Sequence, residues 1–162
     1  MTIAVGDTLP DGTLVRIGEN GPETVSLADL SAGKKLVLFG LPGAFTRTCS
    51  SAHLPGFVRN ADAFRAKGVD HIVCMSVNDP FVMQAWDDVQ GAAKAGVELL
   101  ADGDSSVTKA LDLAFSAPAL GFIDRCKRFS AYIEDGTIKV LNFETEAGTC
   151  DLTAAESLLA QI

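Results

Sequence analysis

The sequence lacks a C-x-x-C pair: its four cysteines, Cys49, Cys74, Cys126 and Cys150, stand far apart. Neither a paired zinc-ligand pattern nor a vicinal dithiol is therefore present. Basic blocks are missing too. With 13 Lys and Arg against 21 Asp and Glu, the formal net charge is −8, which repels phosphate backbones and excludes nucleic acid as a partner. No apolar run approaches the roughly 18 residues of a membrane span, so no membrane association is expected. The opening MTIAVGDTLPDG has no basic or apolar leader region and is not Arg-rich, so a cytoplasmic location with reduced cysteines is expected. Repeats, low-complexity tracts and Pro/Gly/Ser-rich linkers are absent, and 162 residues suit one domain, 1–162.

What is present is an ordinary globular composition, 48% hydrophobic and 21% charged, sufficient for a core without staples. Thr13 to Ile17 and Thr24 to Ser26 read as short strands. Leu36 to Gly40, bounded by lysines and a glycine, reads as a buried central strand. Leu54, Phe57, Val58, Ala61 and Phe64 mark a helical face, with Pro55-Gly56 predicting a kink or an interrupted first half. Ile72 to Val77 is the next strand. Asp79-Pro80 caps and starts a helix whose Phe81, Val82, Ala85 and Trp86 fall at core spacing.

Val97 to Leu100 then predicts a strand and Ser105 to Leu113 a helix. Asp135-Gly136 between Arg128 to Glu134 and Thr137 to Asn142 is a hairpin signal. Thr153 with Glu156 reads as a capping box opening a last helix. Strands alternating with helices, then a hairpin and a helix, predict an α/β layer fold with a mixed sheet.

Ligand sites of open α/β sheets lie beyond the C-terminal ends of strands, and Leu41 to Ser50 sits at one such end. Pro42-Gly43 turns the chain there, and Cys49 falls near a helix start. Unpaired N–H groups and the helix dipole favour a thiolate at such a place. They lower a thiol pKa from about 8.5 into a range of roughly 3.5–7.5. Taken without its surroundings, Cys49 would read as a small buried hydrophobe.

The string Pro42-Gly43-Ala44-Phe45-Thr46-Arg47-Thr48-Cys49 resembles the P-x-x-x-T-x-x-C signature of the peroxiredoxins. PGAFTRTCSSAHLPGF, VCMSVNDPFVMQAW and KRFSAYIEDGTIKVLNFE are similar to the atypical two-Cys and plant type II branch of that family. The resemblance covers nearly the whole chain. It implies a thioredoxin-like fold, a mixed central sheet flanked by helices in three α/β/α layers. It also implies reduction of hydrogen peroxide and small organic hydroperoxides through a Cys49 sulfenic acid, with no metal or organic cofactor because sulfur supplies both electrons. By the same resemblance Thr46 hydrogen-bonds the peroxide, Pro42 shields the thiolate, and Arg128 favours the thiolate and donates to the developing oxyanion. Arg125 is a neighbour open to confusion with Arg128. Arg47 stands where many relatives carry proline and reads as a solvated cation.

The resemblance leaves the return of the oxidised sulfur open. Cys150, in a glycine-containing loop, and Cys74, within a strand, are both candidate resolving thiols, and Cys126 between Arg125 and Lys127 is a third reactive candidate. The alternative is an external reductant, glutathione with glutaredoxin, or thioredoxin, and the external route is favoured. The resemblance further implies a homodimer, with Phe45 and Phe81 at its interface. His53 reads as structural or surface rather than as a general base. A disulfide reductase is disfavoured because Ser50, Ser51 and Ala52 follow Cys49. A redox sensor using the same sulfenic acid differs from a peroxidase in failing to turn over.

Overall fold

A computed structural model describes residues 1–162 except Thr145 and Ala147. Nine strands and six α-helices are present among the described residues. The strands are β1 (Thr13–Gly18), β2 (Gly21–Ser26), β3 (Lys35–Gly40), β4 (His71–Ser76), β5 (Val97–Ala101), β6 (Ala114–Ala117), β7 (Phe122–Cys126), β8 (Phe129–Glu134) and β9 (Thr137–Phe143). The helices are α1 (Leu27–Ser31), α2 (Leu54–Ala66), α3 (Pro80–Gln90), α4 (Ala92–Ala95), α5 (Ser106–Ala110) and α6 (Ala155–Leu159). None is long and apolar enough to cross a membrane.

The main sheet runs β2-β1-β5-β4-β3-β8-β9. Its centre, β5-β4-β3, is parallel, and an antiparallel hairpin closes each side. Both faces of the central strands are covered, which is why they read as unbroken apolar runs. Val37, Phe39, Ile72 and Cys74 pack with α2, α3 and α6, while Leu36, Leu38, Val73 and Met75 pack on the side of α1 and α5. The result is the expected three-layer, thioredoxin-like arrangement. Asp135 and Gly136 both take positive φ, 45° and 78°, the geometry of a two-residue hairpin turn.

Three expectations need correction, and one element is new. The capping box at Thr153 does not form: α6 is preceded by Ala154 without a side-chain cap, because the Thr153 hydroxyl donates to Glu144 at 2.6 Å instead. The Ser105–Leu113 helix shrinks to α5, with Ser105 and Asp112 in left-handed conformations at its two sides. The small antiparallel pair β6-β7 was not anticipated. On α3 the buried residues are Met83 and Trp86, whereas Phe81 and Ala85 are exposed. Phe81, Ala85 and Val89 instead form an outward apolar stripe at i, i+4, i+8.

Candidate active site

The strand β3 ends at Gly40, and the loop 41–46 turns directly over it. The Ala44 N–H donates to Asn78 Oδ1 at 2.9 Å, and Asn78 also accepts from Ser76 at the end of β4 (2.6 Å). A Cβ at Gly43 would lie 2.5 Å from Arg125 Nη1 and would displace that guanidinium. Arg125 occupies that space to donate to the Pro42 carbonyl at 3.0 Å. Arg125 therefore holds the loop and does not contact Cys49. Phe45 takes φ 63°, an uncommon left-handed conformation for a bulky residue, and its ring is largely exposed.

The helical run that follows begins at Arg47, so Cys49 sits in its first turn. From Cys49 to His53 the turn is of π type, closed by Leu54 N–H donating to the Cys49 carbonyl. This is where Pro55-Gly56 exerts its effect. Pro55 has no N–H for an α-helical bond to Ser51, and its ring would press on that carbonyl, so the turn before it widens. Trp86 Nε1 donates to Ser50 Oγ (3.0 Å) and Gln90 Nε2 to the Ser50 carbonyl (3.2 Å), fastening the wide turn to α3. Arg47 is exposed, as its solvated reading expects.

Cys49 is fully buried. Arg128, just before β8, donates from Nη2 to its sulfur at 3.2 Å and from Nη1 to His53 Nδ1 at 2.9 Å. Arginine can only donate, so Nδ1 must accept, and the ring proton therefore sits on Nε2. Nε2 in turn donates to the Thr153 carbonyl at 3.1 Å. Burial between the Phe39 and Phe57 rings, and then the Arg128 charge, push the His53 pKa down to about 3. His53 is thus a neutral acceptor that orients Arg128, a role the sequence reading missed. Its helical spacing from Cys49 was visible; its contact with Arg128 across 75 residues was not.

Among the described residues no carboxylate lies within ion-pair distance of Arg128, and its Nε has no partner. Its side-chain partners are the Cys49 sulfur and His53 Nδ1. Arg128 also lines a cavity of about 440 Å³ shared with Pro42, Leu113, Phe115, Lys127 and Phe143. Thr46 is placed beside the loop, but its hydroxyl donates to the Gly43 carbonyl at 2.6 Å.

The other thiols have no hydrogen bond from Arg128. Cys74 and Cys126 are fully buried. Burial raises the Cys74 pKa well above its ordinary value and pushes Cys126 up to about 12. The expectation of a reactive Cys126 is thereby corrected: its flanking cations point elsewhere, and burial dominates. Cys150 is half-buried, and burial raises it also. Its loop is attached to the Cys49 turn by the Thr48 hydroxyl donating to the Gly148 carbonyl at 2.7 Å.

His53 gives the fold a definite response to acid. An ordinary histidine near 6.5 binds a proton in the unfolded chain, while folded His53 resists it until about 3. Between those values the unfolded state holds more protons, so stability falls as pH falls. Urea unfolding from pH 7 to pH 4 should show wild type losing up to several kcal/mol more than His53→Gln. Parallel curves would mean that His53 does not stay neutral in the folded state.

A thioredoxin-like layer fold with one buried thiol set against a carboxylate-free arginine defines a thiol-centred redox protein. The chain matches the Redoxin family over residues 4–159. It is 48% identical to Peroxiredoxin-2C of Oryza sativa subsp. japonica over 97% of this chain and 96% of that protein. It is 44% identical, with a TM-score of 0.91 and 99% of each chain covered, to reduced Prx3 from Vibrio vulnificus solved in complex with hydrogen peroxide. A Burkholderia cenocepacia chain provisionally described as a thioredoxin reductase is 42% identical, with a TM-score of 0.94, covering 100% of this chain and 99% of that one. The chain belongs to the peroxiredoxins, within the redoxin family, and is a thiol-dependent peroxidase.

Proposed function

We propose that Cys49 is the attacking sulfur, on the observation that Arg128 Nη2 is aimed at it from 3.2 Å while His53 holds the same guanidinium. The Cys49 thiolate attacks one peroxide oxygen, the O–O bond breaks, and the leaving hydroxide or alkoxide takes up a proton as water or alcohol. Arg128 donates to the developing negative charge. The apolar walls of Leu113, Phe115 and Phe143, beside Pro42 and Arg128, accommodate the alkyl group of a small organic hydroperoxide.

Thr46 has committed its proton to Gly43, so toward peroxide it acts as an acceptor of the O–H. Thr46→Val should lower kcat/KM for hydrogen peroxide by about a hundredfold, while Thr46→Ser stays within a few-fold. Equal losses in stopped-flow peroxide consumption would remove the hydroxyl from the mechanism.

The reductant is an external thiol, glutathione with glutaredoxin or else thioredoxin. It condenses with the sulfenic acid to a mixed disulfide and water, and a second thiol then releases Cys49. The burial of Cys74 supports this route, and Cys150 is the internal alternative because its loop is tied to the Cys49 turn. With glutathione and glutaredoxin as the probe, Cys150→Ser should turn over like wild type. Loss of turnover in that variant would make Cys150 the resolving thiol.

The chain acts as a homodimer in the cytoplasm. The exposed Phe45 with Phe81 and Val89 supports an apolar interface beside the loop.

A further inference from the structure

The Cys49–Arg128–His53 chain does not end at His53. Its Nε2 proton is received by the Thr153 carbonyl, and Thr153 lies in irregular chain between Cys150 and α6. The segment is a turn, with the Ala154 N–H donating to the Asp151 carbonyl at 3.2 Å, and α6 starts without a side-chain cap. Glu144 fastens this turn from outside. Its Oε1 accepts from the Asp151 N–H (2.7 Å), the Thr153 N–H (2.9 Å) and the Thr153 hydroxyl (2.6 Å). Burial alone would raise the Glu144 pKa, but the bonds from Thr153 and Asp151 outweigh it and hold the carboxyl below its ordinary value. Three donors on one carboxylate oxygen make a charge-assisted clasp. Thr153 is fully buried, so its carbonyl has one direction to face.

We propose that Glu144 is a positioning residue of the peroxidase site, acting through Thr153 and His53 on the Arg128 guanidinium. The proposal rests on the reading of Arg128 as the donor to Cys49. Glu144 itself touches neither Cys49 nor Arg128 through a hydrogen bond. Its role is geometric: with the clasp released, the Thr153 carbonyl no longer fixes the His53 ring, and Nδ1 no longer fixes Nη1. A guanidinium displaced by a fraction of an ångström still neutralises charge but donates poorly to a transition state.

The test is a double-mutant cycle on the full-length protein, with hydrogen peroxide as substrate and dithiothreitol as reductant. Glu144→Leu, which has no acceptor, should lower kcat/KM for peroxide on the order of tenfold to a hundredfold. Glu144→Gln, which keeps one amide oxygen, should recover part of that loss. In an Arg128→Lys background, where the His53-held fork is already gone, Glu144→Leu should cost less than twofold further. Thr153→Val removes the hydroxyl arm of the clasp and should follow the same pattern; it serves if Glu144→Leu does not fold.

An equal loss in both backgrounds, or no loss in the wild-type background, overturns the proposal. Should Arg128→Lys alone retain wild-type kcat/KM, the forked guanidinium is not needed and the reading of Arg128 as an oriented donor fails, a result distinguishable from failure of the Glu144 role.

Discussion

Cys49→Ser is expected to lose more than 99% of peroxidase turnover (roughly the factor that removing a nucleophile costs) while keeping the fold. Turnover requires a thiolate that meets both peroxide and a reductant. Cys74 and Cys126 are fully buried with pKa values pushed upward, so neither supplies a thiolate near neutral pH. Cys150 is more accessible, but it too is raised, and Arg128 donates to Cys49 rather than to it. Serine nearly matches cysteine in size, so the wide turn at 49–53 and its bonds to Trp86 and Gln90 should persist. Steady-state assay with glutathione and glutaredoxin, and separately with thioredoxin, reads the loss. Substantial residual turnover would move the reaction to another sulfur.

The second large effect concerns Arg128. Arg128→Lys keeps the charge but not the fork that meets Cys49 and His53 at once, at 3.2 Å and 2.9 Å. An ammonium can satisfy one of the two partners and leaves the other buried without its bond. Removing a preorganised donor of this kind costs about a hundredfold to a thousandfold in rate. The loss should fall on the oxidative half-reaction, visible in single-turnover oxidation by hydrogen peroxide, with the reductive half little changed. A rate within threefold of wild type would show that charge alone suffices.

Much of this was legible in the sequence, for identifiable reasons. The central strand Leu36 to Gly40 is apolar on both faces because the sheet is covered on both faces. Pro42-Gly43 marks the loop because those residues set local backbone geometry. Asp135-Gly136 marks the hairpin because the turn needs two positive φ values. These signals are local, whereas the chemistry of the 42–49 string was read from its resemblance to the peroxiredoxin signature.

What stayed hidden depends on distant partners. His53 was read as structural or surface because its tie to Arg128 joins two segments with no shared pattern. Thr153 carried a sound capping box, but Glu144 offered its hydroxyl a charged acceptor, and the stronger bond won. On α3 the spacing of Phe81, Ala85 and Val89 is helical, yet period alone cannot say which apolar face turns inward. Trp86 and Met83 take the core, and the other stripe faces outward. The β6-β7 pair is short, irregular in register and mostly half-exposed, without the alternation that marks a longer strand.

The most direct measurement is peptide mass mapping after one equivalent of hydrogen peroxide, with dimedone present to trap sulfenic acid and no added thiol. The expected result is a single dimedone adduct on Cys49, with Cys74 and Cys126 unmodified. A disulfide between Cys49 and Cys150 would keep Cys49 as the attacking sulfur but replace the external route with an internal one. An unmodified Cys49 beside oxidation of any other cysteine would contradict the account at its centre.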